Sequence, residues 1–139
     1  MGLQASIDIH FAHRLSPKDT AISLINSGWS YDFEGSVIFL MANDADKYDW
    51  QEKPREEFNF EDYINSHNDQ DKLGIVLINK DNVGGEFLIY PDWLSFSLSI
   101  NRRYLTSKMK VPDFSWYLSE LNFFLELANI SNIQCELVY

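Results

Sequence analysis

The sequence predicts a single α+β domain, residues 1–139: a mainly antiparallel sheet with two helices packed on one face. The expected order is β-α-β, an acidic segment, then β-β-β-α-β. Three observations carry this reading. Stretches of strict apolar–polar alternation mark strands with one wet face. Helix-start chemistry stands at Ser16-Pro17 and again at Asp113. A chain of 139 residues, 45% hydrophobic and 15% aromatic, can bury one core without disulfides or a metal.

Residues 6–11 alternate, with Ile7, Ile9 and Phe11 on one face and Ser6, Asp8 and His10 on the other. In Ser16-Pro17-Lys18-Asp19, Ser16 suits an N-cap, Pro17 the first helical position and Asp19 the capping box. Ala21, Ile22, Leu24 and Ile25 supply that helix's buried stripe, and Gly28 ends it. Residues 37–41 are continuously apolar, as in a central strand covered on both faces. Pro54 breaks the acidic segment. Residues 60–66 then suit a short helix capped by Asn59, with Glu61 and Asp62 at its positive end.

Residues 75–78 read as another inner strand. The turn chemistry of residues 79–85, with two glycines, predicts a hairpin into 86–90. Between 93 and 100, Leu94, Phe96, Leu98 and Ile100 point one way and Trp93, Ser95, Ser97 and Ser99 the other. A second long helix is expected from its cap at Asp113 to about Asn129, and residues 133–139 close the chain as a strand. On a wheel of about 100° per residue, Phe114, Tyr117, Leu118, Leu121, Phe124, Leu125 and Ala128 form one apolar face. Trp116, Phe123 and Leu127 gather opposite. A helix apolar on two sides needs two covers, and the expectation is that the chain itself supplies the second.

Charge points to function. Residues 41–71 hold ten acids against Lys47, Lys53 and Arg55, which is seven of the ten net negative charges in 31 of 139 residues. Tyr48, Trp50, Phe58, Phe60 and Tyr63 sit among them. Exposed aromatics beside carboxylates suit a docking surface for a basic protein, because rings anchor and charges speed capture. The expected partner-binding residues are Asp44, Asp46, Tyr48, Asp49, Trp50, Glu52, Glu56, Glu57, Glu61 and Asp62, with Tyr48 and Trp50 as exposed anchors.

Other chemistry finds little support. A net charge of −10 disfavours direct nucleic-acid or anionic-membrane binding. Arg102, Arg103, Lys108 and Lys110 are too few for such a footprint and suit pairing with the acidic segment. Asp44-Ala45-Asp46-Lys47-Tyr48-Asp49 begins like a calcium loop, but Tyr48 holds the fifth place, Asp49 the sixth and Arg55 the twelfth. His10 and His13 find no third ligand nearby in sequence. Nucleophile-elbow, P-loop and dinucleotide motifs are missing, so neither a catalytic set nor a cofactor is expected. Gly2 and Ser6 sit as in a myristoylation signal, which the acidic bulk disfavours as an anchor. Cys135 is alone, and no secretory leader or long apolar run stands in the sequence. A cytoplasmic monomer is expected.

Small size, one α+β domain, strong acidity and exposed-looking aromatics together resemble the immunity proteins of bacterial contact-dependent growth inhibition and related polymorphic toxin systems. The resemblance rests on the whole-chain profile, and no functional residue is carried over from it. It implies a cognate toxin partner, often a nuclease, whose cationic substrate site the acidic surface would occlude. An acidic adaptor or a small cytoplasmic enzyme remains the alternative reading.

Overall fold

A computed structural model describes residues 4–108 and 110–138. Met1, Gly2 and Leu3 of the N-terminal motif, and Tyr139 of the expected last strand, lie outside the described residues. The elements run β1 (Gln4–Phe11), α1 (Pro17–Asn26), β2 (Ser36–Phe39), β3 (Gln51–Pro54), a 3-10 turn (Arg55–Glu57), α2 (Phe60–Asn65) and β4 (Leu73–Ile78). Then follow β5 (Gly84–Ile89), β6 (Trp93–Ser97), α3 (Phe114–Glu120), α4 (Asn122–Leu127) and β7 (Ile130–Val138). The strands form one seven-stranded sheet in the order β3-β2-β4-β5-β6-β1-β7. Every described pairing is antiparallel, so the α+β class read from the sequence holds.

The alternation in β1 and β6 sets the sheet's two faces. Ile7 pairs with Phe96 and Ile9 with Leu94, and all four are fully buried under the helices. Around them one core gathers Ala21 and Leu24 of α1, Tyr63 and Ile64 of α2, Tyr117 of α3 and Phe124 of α4. Phe87 and Phe96 stack with ring centroids 4.2 Å apart, and Trp29 meets both edge-on. Aromatic pairs of this kind add about 0.5–1.5 kcal/mol each beyond their burial. The β4, β5 and β6 backbones come so close that a Cβ on Gly84 or Gly85 would strike the carbonyls of Leu77 and Ser97.

The second face is covered in part. Leu40, Val76 and Ile78 are buried outside the main core, and Leu40 lies directly on Gly74. The loop after β2 provides this cover, which is why β4 reads as an unbroken apolar run and is buried at every residue.

Four expectations need correction. The long last helix is broken at Leu121 (φ −91°, ψ 1°), giving α3 and α4. The break removes the phase relation of a continuous wheel: Trp116 is half-buried, whereas Phe123 is 68% and Leu127 72% exposed, with no cover from the chain. Ser16 sits at the N-cap position but its side chain makes no cap bond, and its hydroxyl is buried without a partner. Finally, β3 lies inside the acidic segment, where polar composition concealed a strand. Its pairing with β2, from Ser36–Pro54 to Phe39–Gln51, supplies the stability its residues lack intrinsically.

Candidate protein-binding surface

The acidic segment wraps the β3 edge of the sheet, its loop crossing the second face and α2 packing on the helix face. Asp44 organises the loop. It is 7% exposed, and its carboxylate accepts the Tyr48 amide at 2.8 Å and the Asp49 amide at 2.9 Å. Lys72 Nζ stands 3.3 Å from the same carboxylate and also donates to the Ala45 carbonyl. The Asp49 amide holds the Asp44 carboxyl below its usual range, against the opposing effect of partial burial, with Tyr48 and Lys72 adding to it. These bonds secure a loop that carries Ala45 and Tyr48 at φ 56° and 52°, a left-handed conformation unusual for a bulky residue. Asp44 therefore departs from the expectation: it is a structural hub whose oxygens are already engaged.

The aromatics divide the same way. Phe58 (7% exposed) and Tyr63 (8% exposed) belong to the core, where they pack with Phe39 at centroid distances of 5.3 Å. Phe60 is half-buried, stacked on Tyr31 at 5.0 Å. Trp50 is half-buried on the second face, at the margin of a depression of about 440 Å³ shared with Glu86, Leu88, Ser99 and Arg102. It differs from a free anchor. Only Tyr48 of these five is exposed, at 43%. Its ring lies under Lys72 at 4.2 Å, and its hydroxyl is 3.3 Å from that of Tyr90. From there Tyr90 stacks on Trp93 at 5.0 Å and Trp93 on His10 at 5.5 Å. Burial, with Tyr48 second, pushes the Tyr90 phenol well up.

The remaining expected contacts face solvent. Asp46 and Asp49 stand on the loop, Glu52 on β3, Glu56 and Glu57 on the 3-10 turn, and Glu61 and Asp62 in the first turn of α2, all exposed. Glu52 accepts the Ser36 hydroxyl at 3.2 Å. The α2 cap forms as the sequence predicts, with Asn59 accepting the Asp62 amide at 3.0 Å. Glu57 and Asp62 border a cleft of about 500 Å³ floored by Phe39, Phe58 and Tyr63, with Met41 and Lys53 at its mouth. Such a cleft combines an apolar floor for an alkyl stem with carboxylates for a cationic head. Among the described residues no three His, Cys, Asp or Glu side chains gather as a metal would need.

Sequence reasoning missed this cleft and the structural use of Asp44. Met41 ends the apolar run 37–41 expected as a covered strand, but β2 stops at Phe39, and the 51% exposure of Met41 follows from the chain leaving the sheet there. Arg103, grouped by sequence with charge balance, lies 4.6 Å over the Trp116 ring. Arg102 donates to the Leu98 carbonyl at 2.7 Å. No family model, curated protein or solved structure matches this chain.

Proposed function

We propose that this chain is a binding protein that neutralises a basic protein partner, and that it acts as an immunity protein against a cognate bacterial toxin domain in the cytoplasm. The observation that carries the reading is the run of exposed carboxylates along one segment: Asp46 and Asp49 on the loop that crosses the second face, then Glu52, Glu56, Glu57, Glu61 and Asp62 from β3 to the first turn of α2. In the described residues none of these seven acids makes a salt bridge. They are therefore free to meet incoming Lys and Arg, and a toxin that acts on phosphate must present such residues. The Asp44-bonded loop and the capped α2 fix the backbone that carries these carboxylates before contact, which lowers the ordering cost of association. Among the described residues no helix is long and apolar enough to cross a membrane.

The test is protection in cells. A basic toxin domain that this chain binds should arrest growth when expressed alone and spare cells that also express the chain. Asp46→Lys, Asp49→Lys and Glu52→Lys together should abolish protection without unfolding the protein, since all three are exposed. Full protection by that variant would refute the acidic surface as the docking site.

A further inference from the structure

The two edges of the sheet are built differently. At one edge β3 is four residues long and carries Glu52, Lys53 and Pro54, the charges and proline that keep an edge from pairing with another strand. At the other, β7 runs nine residues, Ile-Ser-Asn-Ile-Gln-Cys-Glu-Leu-Val, with Glu136 as its only charge and no proline. Among the described residues no strand lies beyond it, and its pairing with β1 is regular from Gln4–Val138 to His10–Asn132. Ile133 and Cys135 pair with Ile9 and Ile7, so they stand on the face the helices cover elsewhere. There the helix layer stops short: Ile133 is 38% exposed and Cys135 is exposed. A long, nearly uncharged edge is the place in this sheet most able to accept another strand.

We propose that β7 pairs antiparallel with β7 of a second copy, continuing the sheet across a two-fold axis at Gln134. Three features select a second copy as the occupant. A two-fold pairing is self-complementary, so one surface serves both sides. Centred on the middle residue of the nine, it pairs every position and sets Glu136 across from Asn132 rather than from another carboxylate. It also places Ile133 across from the second copy's Cys135, so that each covers apolar surface the helices leave bare. With a net charge of −10, two copies repel over most of their surfaces, and this edge is where they meet without opposed charges. The inference does not depend on the partner proposed above. β3 lies at the far edge of the sheet, so pairing through β7 leaves the carboxylates of β3 and the 3-10 turn after it open in each copy. Against the monomer expected from sequence, the edge geometry favours a dimer.

Sedimentation velocity over a wide concentration range tests this. The wild-type chain should pass from monomer to dimer as concentration rises. Ile133→Lys with Cys135→Lys sets ammonium against ammonium twice across the axis, and should raise the dimer dissociation constant by about tenfold or more. Ile133→Lys with Cys135→Glu sets opposite charges across the same axis and should restore dimerisation. A wild-type chain that stays monomeric throughout overturns the proposal, as does a double-lysine variant that dimerises like wild type. A lysine–glutamate variant as monomeric as the double-lysine one overturns the register. If the double-lysine variant fails to fold, amide exchange on wild type decides: β7 protection that rises with concentration supports the pairing, and protection independent of concentration overturns it.

Discussion

Replacing Tyr63 by phenylalanine removes one oxygen from the joint that holds α2, and with it Glu61 and Asp62, against the sheet. The Tyr63 hydroxyl lies 2.8 Å from both the Leu40 and the Gly74 carbonyl oxygens and shares its proton between them. Gly74 O also accepts the Leu40 amide at 2.8 Å, so the Leu40 carbonyl is the group stranded by the change. The ring stays, so no cavity opens. A buried acceptor left without a donor costs about 1–3 kcal/mol. With a urea slope of about 2 kcal/mol/M, the unfolding midpoint should fall by about 0.5–1.5 M with the slope unchanged. Urea titration followed by tryptophan fluorescence reads this directly, since Trp29 is buried in the core. A midpoint within about 0.2 M of wild type would mean that water or another donor satisfies Leu40, and that Tyr63 does not secure α2 as described.

Other outcomes follow from the same geometry. Phe123→Asp should change stability by no more than about 0.5 kcal/mol in urea unfolding, because the side chain is 68% exposed; a large loss would show that the α4 surface is covered after all. His67 is 3% exposed, its neutral ring donating Nδ1–H to the Tyr63 carbonyl at 2.9 Å while Nε2 has no partner. Burial, outweighing the Tyr63 carbonyl and Asp71, lowers its pKa, and Lys18 acts in the same direction. The unfolded chain therefore takes up this proton first, so stability is complete above about pH 6.5 and falls as pH drops below it. His67→Gln should flatten that slope between about pH 6.5 and 5, above the ordinary carboxylate range. An unaltered slope would place the titrating group elsewhere.

The parts of the fold legible in the sequence were those where a local pattern and the tertiary burial agree. The alternation of β1 holds, and that of β6 holds as far as Leu98, because each strand has one helix-covered face; the strand expected to Ile100 ends at Ser97, where the chain turns. Asn59 and Pro17 act where short-range capping chemistry decides. β3 was illegible because Gln51-Glu52-Lys53 has no strand preference and only β2 makes it one. The last helix misled because a wheel presumes continuous winding, and the turn at Leu121 resets the phase between Trp116 and Phe123. The candidate surface was half legible. Composition located the carboxylates, but composition cannot tell an acid that faces a partner from one, like Asp44, that caps its own loop. Nor can it tell the anchored Phe58 and Tyr63 from the exposed Tyr48.

The proposal that the exposed carboxylates of residues 46–62 capture a basic partner is tested most directly by the association rate with a basic protein domain that the chain binds, measured against salt. The rate for wild type should be high at low ionic strength and fall steeply as salt is added. Asp46→Lys, Asp49→Lys and Glu52→Lys together should slow association about ten- to a hundredfold at low salt and remove most of the salt dependence. An association rate unchanged by these three reversals, with the same dependence on salt, would contradict the account.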